Sequence, residues 1–346
     1  MEFLSQYGLF LAKTLTIIIG IIVTFAFIMA IAQKGKAQDG ALLIYNVNER
    51  YNEIRSNIQQ ETLSKKEWKK WLKAQKENGK EKKKQDKEDK QERVTNARLF
   101  VVRFDGDMRA SEVHQLREVV SAITETATAN DEVLVVLESA GGFVHGYGLA
   151  ASQLQRLRQR NLHLTVAIDK VAASGGYLMA CVANRIIAAP FAIVGSIGVV
   201  AQIPNFHRLL EKNNIDFELH TAGEFKRTLT MFGENTEKGR QKFQEELEET
   251  HTLFKRYITE HRPVVMIDQV ATGEHWLGTD ALKNHLIDEI QTSDDFIMSK
   301  LKDRDIFEIS YEEKQKLSDK LTGNIFQSLE KLVLRLLAKH NPSTLR

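Results

Sequence analysis

The chain has 346 residues, of which 42% are hydrophobic and 27% charged, which is enough for one sizeable folded core with length left for appendages. A formal net charge of only +2 argues against a protein that binds nucleic acid through its overall charge. The single cysteine, Cys181, excludes an intrachain disulfide, and its apolar neighbours predict a small buried side chain.

The first predicted element is a hydrophobic helix. Thr14–Ala32 contains no charged side chain over nineteen positions, enough to cross the hydrocarbon core of a membrane. No small-residue cleavage site precedes the polar stretch that follows, so we predict an uncleaved anchor with residues 1–13 as its flank. The alternatives are a signal peptide and a buried helix of a soluble domain; the all-round apolar character argues against the second. Lysines lie on both sides of the span and leave its orientation undecided.

Residues 33–95 are predicted to form a charged helical or flexible spacer. Within them Ser64–Arg93 holds thirteen Lys or Arg and seven Asp or Glu, while Trp68, Trp71 and Leu72 form a small apolar face at helical spacing. A solvated helix or a disordered spacer is the plainer interpretation. Contact with anionic lipid head groups is the alternative, and it is favoured if the segment lies on the cytoplasmic side.

From residue 96 onward the pattern changes to alternating strands and helices. Apolar runs predict buried strands, and the segments between them have helical periodicity. The predicted strands are ARLFVVRF, EVLVVLES, HLTVAID, RIIAAP, VGSIGVV and DFELHT. Continuous apolar strands that alternate with helices are typical of a parallel sheet covered by helices. Residues 96–303 are therefore predicted to form one α/β domain.

Two further amphipathic helices are predicted after the central strands. Asn235–Arg262 is long and highly charged, and Asn324–Lys339 lies within a C-terminal amphipathic tail, residues 304–346. The tail helix carries a broad apolar stripe. Packing against the same chain or a neighbouring subunit is the plainer interpretation of that stripe, and contact with a membrane surface is the alternative.

Two turns rich in glycine follow neighbouring predicted strands. Gly141 and Gly142 follow the second strand, and Ser174 stands before two further glycines after the third. The carboxyl ends of parallel strands meet at one edge of a sheet, so these turns are expected to face one cavity. Backbone N–H groups beside a serine hydroxyl are the parts of an oxyanion hole and a nucleophile. The plainer alternative is that paired glycines only allow tight turns.

A serine nucleophile needs a base. Lys226 is the candidate, because it lies among apolar residues and a lysine held neutral can take a proton. Glu224 would hinder neutrality if it pointed inward. His145 and His163 are the alternative bases, although neither stands in a recognised nucleophile–base pattern. We see no cluster of His and Cys with metal-ligand spacing and predict no cofactor.

These segments together resemble the signal peptide peptidase A family of serine peptidases, and within it the SohB branch of membrane-anchored bacterial proteases. The resemblance covers about residues 97–295 and rests on five blocks in order. They are ESAGGFV, DKVAASGGYLMA, VGSIGVV, AGEFKRTLTMF and VATGEHWLGTDALKNHLIDEI. Lys226 lies 52 residues after Ser174, as the Ser/Lys dyad of that family requires. One departure is Ala140, where relatives commonly have proline.

The resemblance implies a fold like the ClpP/crotonase superfamily and a site in which Ser174 is the nucleophile and Lys226 the base. Gly141 and Gly142 would hold the oxyanion. Residues implied to line the substrate cleft are Ser196, Gly198 and Gly175. Remnant signal peptides or membrane-protein segments are the implied substrates.

The resemblance also implies a homo-oligomeric ring anchored in the bacterial inner membrane, with the catalytic domain on the periplasmic side. Two other functions stay open. One is a membrane-bound assembly platform that keeps the fold without turnover. The other is a crotonase-type enzyme that acts on an acyl-CoA, which the membrane anchor and the surroundings of Lys226 argue against.

Overall fold

The computed structural model describes residues 40–88 and 97–313, with scattered positions between 7 and 16 that are helical. The chain divides into two compact units. One comprises Met1–Ala41 and Glu312–Arg346, and the other comprises Leu42–Tyr311. The second unit contains the predicted functional residues.

The predicted membrane span falls outside the described residues, except for Thr14 and Thr16, and so does the predicted helix at 324–339. Among the helices that the structure does describe, none combines the length and the apolar character needed to cross a membrane.

The strands are numbered in chain order through the described residues. They are β1 Ala41–Asn46, β2 Arg98–Gly106, β3 Glu132–Ser139, β4 His163–Ile168, β5 Val171–Ala173, β6 Arg185–Ala188, β7 Ile193–Gly195, β8 His275–Leu277, β9 Glu289–Ile290 and β10 Asp305–Glu312.

The helices of the same residues are numbered in the same way. They are α1 Val47–Thr62, α2 Lys65–Glu88, α3 Val113–Thr126, α4 Val144–Gln159, α5 Gly175–Ala180, α6 His207–Lys212, α7 Glu237–His261, α8 Ile267–Val270, α9 Gly278–Lys283 and α10 Ser293–Lys300. The charged segment predicted as a spacer is therefore helical through α2, where the rings of Trp68 and Trp71 stack 5.0 Å apart.

The strands form one sheet whose main path is β1-β10-β2-β3-β4-β6-β9, with β5, β7 and β8 branching from β3. The pairs from β10 to β9 are parallel, as are β3–β5 and β5–β7. The predicted α/β architecture with a parallel centre is confirmed. The sheet is nevertheless mixed, because β8 returns antiparallel to β7. The sequence of β8 is too short to show an apolar run of its own.

The central strands are buried on both faces, which explains their unbroken apolar sequences. Alternate side chains of β2 point to opposite sides. Phe100, Val102 and Phe104 enter the larger apolar core, whereas Leu99 and Val101 enter a smaller one. The predicted face of α3 covers the larger core. Its buried residues are Val113, Leu116, Val119, Val120 and Ile123.

Two strands of the sheet lie outside the predicted domain of residues 96–303, one before it and one after it in the sequence. Strand β10 pairs with β2, and β1 forms the edge next to β10. Asn48 at the start of α1 fixes this edge, because its side chain donates to the carbonyl of Arg304 at 3.0 Å and accepts from the N–H of Ile306 at 2.7 Å. Residues predicted as spacer and tail thus supply the edge strand β1 and its neighbour β10.

The segment DFELHT, predicted as a strand, contains no strand in the structure. Residues 213–236 are irregular, and Phe217 and Leu219 are exposed. An alternating pattern predicts a strand only if a neighbouring strand pairs with it and covers one face. Neither condition is met here within the described residues.

Candidate active site

Ser174 occupies a strained turn between β5 and α5. Its backbone has φ 51° and ψ −117°, a region that residues with side chains rarely adopt. Its N–H donates to the carbonyl of Gly195 at 2.7 Å, which joins the turn to the end of β7. Its side chain makes no capping hydrogen bond to α5. A sharp strand-to-helix turn of this kind presents a serine hydroxyl outward, as in nucleophile elbows.

The predicted meeting of the two glycine-rich turns is present. Ser139, at the end of β3, is the register partner of Ala172 in the parallel strand β5. Gly141 has φ 88°, and a Cβ placed on it would stand 2.8 Å from the Cβ of Ser174 and 2.7 Å from the carbonyl oxygen of Ala173. The first turn therefore packs directly against the serine, and only glycine fits at this point of contact.

The second glycine of that turn is just as closely confined. A Cβ on Gly142 would lie 2.1 Å from the carbonyl oxygen of Met108. The neighbouring Phe143 N–H donates to the same carbonyl at 2.9 Å. The loop after β2 therefore supports the turn from behind and leaves the opposite side of Gly142 facing the cavity beside Ser174.

The N–H groups around Ser174 differ in their availability. The N–H of Gly141 donates to Ser139 Oγ at 3.0 Å and is therefore engaged. The N–H of Gly142 has no acceptor among the described residues. Gly175 begins α5, where the helix offers its N–H no acceptor. The available pair is thus Gly142 and Gly175, of which the sequence predicted only the first as an oxyanion donor.

A cavity of about 340 Å³ lies beside Ser174. Val144 of α4, Leu178 of α5 and Phe254 of α7 supply apolar wall, and residues 198–200 complete it. Gly175 and Gly198, two of the predicted cleft residues, line this cavity, whereas Ser196 is absent from the described lining. Ser196 instead has φ 51° and donates its N–H to the carbonyl of Glu274 at 2.7 Å, which shapes the turn that precedes the wall.

Most hydroxyl groups of the cavity wall are engaged with the backbone. Ser152 Oγ donates to the carbonyl of Gly148 at 2.8 Å, and Thr250 Oγ1 donates to the carbonyl of Glu246 at 2.8 Å. The Tyr147 hydroxyl donates to the carbonyl of Asp107 at 2.7 Å, and burial raises the pKa of its phenol. Bonded hydroxyls present little polarity, so the cavity suits apolar groups.

Lys226 lies away from this cavity in the single chain. It is exposed on the irregular segment 213–236 and is not among the described residues that line the cavity. Its N–H donates to the carbonyl of Gly223 at 3.2 Å. Glu224, the neighbour that could keep Lys226 charged, forms an ion pair with Lys238 instead. The structure thus does not bring Ser174 and Lys226 together within one copy.

The alternative bases and the cysteine have ordinary surroundings. His145 and His163 are exposed on α4 and β4. Cys181 is fully buried, which confirms the predicted small buried side chain, and burial raises the pKa of its thiol. In the described part of the chain, no three or more His, Cys, Asp or Glu side chains are grouped so as to hold a metal ion.

Comparison with known proteins identifies the family. Residues 2–154 match Peptidase family S49 N-terminal, and residues 156–306 match Peptidase family S49. A probable protease SohB from Haemophilus influenzae is 48% identical over 98% of both chains. Another from Buchnera aphidicola is 51% identical over 87% of this chain and 100% of its own.

Among solved structures, a membrane-bound stomatin-specific protease in complex with a substrate peptide is 12% identical with a TM-score of 0.42, covering 67% of this chain and 99% of that chain. The family matches extend over nearly the whole sequence and include both glycine-rich turns and Lys226. The chain therefore belongs to peptidase family S49.

Proposed function

We propose that the protein is a membrane-anchored serine endopeptidase in which Ser174 is the nucleophile and Lys226 the general base. The turn at Ser174 supports this most strongly. Its side chain stands on a strained strand-to-helix turn, borders an apolar cavity and packs against a glycine turn. Membership of a peptidase family makes hydrolysis of a peptide bond the expected reaction.

The reaction would proceed in two steps. Neutral Lys226 takes the proton of Ser174 as its oxygen attacks the peptide carbonyl, and the ammonium of Lys226 then protonates the leaving amine. Water next attacks the acyl ester, Lys226 takes a proton from it, and the proton returns to Ser174 as the carboxyl product leaves. Proton transfer by a positioned base contributes about 10²–10⁴-fold.

The tetrahedral intermediate carries a negative oxygen that needs donors. We assign this role to the N–H groups of Gly142 and Gly175. Neither N–H has a hydrogen-bond acceptor among the described residues, and both glycines line the cavity beside Ser174. Gly141 does not donate to the oxyanion, because its own N–H donates to Ser139 Oγ. Its role is to let the turn pack closely against Ser174. Each oxyanion donor is worth on the order of 10²–10³-fold in rate.

Lys226 must reach Ser174 for this chemistry, and assembly would provide the means. The segment around it exposes large apolar side chains, among them Phe217, Phe225 and Phe232. The exposure of such side chains to water is unfavourable. We propose that this segment becomes buried in a homo-oligomeric ring and that Lys226 is then placed near a Ser174 hydroxyl, of its own or of a neighbouring copy.

The cavity indicates the substrate class. Its apolar wall favours apolar side chains, and small residues around Ser174 leave room for an extended backbone. Remnant signal peptides or membrane-protein segments fit this chemistry. We place the protein in the bacterial inner membrane with the catalytic domain on the periplasmic side, which follows the resemblance of the sequence.

The experiment is hydrolysis of a quenched-fluorescent apolar peptide by the full chain in detergent. The wild type should cleave it, whereas Ser174→Ala and Lys226→Ala should not. Lys212→Ala is the matched control, because Lys212 is also an exposed lysine of this region but has no assigned role. Activity regained on mixing the two inactive variants would show that Lys226 acts on a neighbouring copy.

The two rival functions predict different results. An assembly platform would give no cleavage by the assembled wild type. A crotonase-type enzyme would bind an acyl-CoA and leave the peptide intact. Undiminished cleavage by Ser174→Ala would end the proposal.

A further inference from the structure

The Gly141 turn is held by two side chains, Ser139 and Tyr147, for which the sequence predicted no role. Ser139 ends β3 and is 2% exposed, and Tyr147 on α4 is fully buried. Ser139 Oγ accepts the N–H of Gly141 at 3.0 Å and forms a hydrogen bond with the Tyr147 hydroxyl. These contacts connect the first glycine turn to the interior of the domain.

The number of hydroxyl protons gives this chain of hydrogen bonds a direction. The Tyr147 hydroxyl has one proton and donates it to the carbonyl of Asp107 at 2.7 Å. The Ser139 hydroxyl also has one proton, and we assign it to Tyr147 rather than to the more distant carbonyl of Gly106. Ser139 thus donates to Tyr147 and accepts from Gly141. The chain runs from Gly141 through Ser139 and Tyr147 to Asp107, and bonds in such a chain polarise and strengthen one another. A longer contact of 3.2 Å joins Ser139 Oγ to the carbonyl of Gly106.

The ring of Tyr147 also touches the second turn. A Cβ placed on Gly175 would stand 2.4 Å from Cγ of Tyr147, so the ring lies flush against the residue that follows Ser174. A Cβ on Gly106 would stand 2.5 Å from the Tyr147 hydroxyl, so the glycine there leaves the space that the hydroxyl needs. One buried side chain thus contacts the second glycine turn directly and is connected to the first through Ser139.

We propose that Tyr147 is a positioning residue that, with Ser139, fixes the two oxyanion donors relative to Ser174. Its hydroxyl orients the Gly141–Gly142 turn through Ser139, and its ring sets the position of Gly175. Because the N–H of Gly141 is tied down, the next N–H, that of Gly142, is the one presented to the cavity. This inference rests on the proposed peptidase function and adds the residue that holds the donors in place.

The test compares Tyr147→Phe and Ser139→Ala with the wild type in the full chain in detergent. Positioning of the donors matters in the transition state, so kcat should fall by about tenfold or more while KM changes by less than about twofold. The affinity for a peptide aldehyde, which forms a tetrahedral adduct with the serine, should fall by the factor lost in kcat. The double variant should lose no more than either single variant, because both break one chain.

Tyr177→Phe is the matched control. Tyr177 is also a fully buried tyrosine that donates to a backbone carbonyl, that of Leu286 at 2.9 Å, but its hydroxyl does not support either turn. It should lose comparable stability and keep its kcat. A wild-type kcat in Tyr147→Phe, or an equal loss of kcat in Tyr177→Phe, would overturn the proposal.

Amide hydrogen exchange of residues 139–143 gives a readout that does not depend on turnover. Exchange there should be faster in Tyr147→Phe and Ser139→Ala than in the wild type and unchanged in Tyr177→Phe. Unchanged exchange in the first two variants would overturn the positioning role. Altered exchange together with an inactive wild type would instead contradict the peptidase function.

Discussion

Gly141 packs against the side chain of Ser174, so closely that a Cβ on Gly141 would stand 2.8 Å from the Cβ of Ser174. The contact arises because β3 and β5 are parallel neighbours that end at the same edge of the sheet. It places the N–H of Gly142, which has no acceptor among the described residues, beside a hydroxyl that borders an apolar cavity. The function proposed for this protein depends on that contact.

Gly141→Ala should abolish peptide cleavage and destabilise the fold. The methyl group would meet the carbonyl oxygen of Ala173, and the φ of 88° is unfavourable for alanine. Overpacking and backbone strain together should cost about 3 kcal/mol of unfolding free energy. Thermal unfolding and the peptide assay measure the two effects.

Gly148→Ala controls for folding in this comparison. A Cβ there meets nothing within 4 Å, and alanine favours the helix, so the melting temperature should hold or rise. A Gly141→Ala variant with wild-type stability and cleavage would show that the close contact is unimportant.

Ser174→Gly should be more stable than Ser174→Ala, although both should be inactive. The φ of 51° and ψ of −117° strain any residue with a Cβ, and glycine removes that strain. The difference should be roughly 1–3 kcal/mol, or several degrees in melting temperature. Equal melting temperatures would mean that the turn at Ser174 stores no strain.

Asp131 should make folding dependent on pH in the acid range. Burial alone would raise the pKa of this carboxyl, but hydrogen bonds from Arg98 and Thr128 outweigh it and lower the pKa from 3.8 to about 2. A lowered pKa stabilises the fold above the unfolded-state value, and this stabilisation is lost as the pH falls toward 2. Its size at pH 7 is about 2 kcal/mol.

Urea unfolding of wild type and Asp131→Asn between pH 2 and 7 checks this. The wild type should be more stable by a constant amount above about pH 5, and the gap should shrink between about pH 4 and 2. A gap that stays constant down to pH 2 would contradict the assignment.

Arg262→Met should destabilise the protein strongly. Arg262 is 5% exposed at the end of α7 and pairs with Asp288 at 2.8 Å, which holds in place the helix that covers the Ser174 cavity. The variant loses the hydrogen bonds of a buried guanidinium to Asp288, whose side chain is 37% exposed, and this loss should cost about 1.5–3 kcal/mol.

Lys283→Met is the control for that variant, because the Lys283–Asp280 pair lies at the surface with side chains 75% and 55% exposed. Breaking an exposed pair should cost at most about 1 kcal/mol in urea unfolding. Similar losses in both variants would mean that burial of the Arg262 guanidinium adds nothing.

The sequence predicted those parts of the fold whose pattern is local. The apolar runs of β2 and β3 and the buried face of α3 follow from periodicity alone, and so does the meeting of the two glycine turns, because parallel strands end at a common edge. The edge strand β1 and its neighbour β10 were missed. A highly charged segment separates β1 from β2, and β10 lies within the predicted tail.

The site was predicted less completely than the fold. Ser139 and Tyr147 are eight residues apart, and only the three-dimensional structure shows that their hydroxyls meet. The engagement of the Gly141 N–H follows from that meeting and moves the available donors to Gly142 and Gly175. Lys226 is placed by an irregular exposed segment, whose position relative to Ser174 no local pattern determines.

Labelling of the full chain with a fluorophosphonate tests the central claim most directly. The adduct should map by mass spectrometry to Ser174 in the wild type and be absent from both Ser174→Ala and Lys226→Ala, because an unactivated serine does not react. No labelling of the assembled wild type, or labelling that survives Lys226→Ala, would contradict the Ser174–Lys226 dyad.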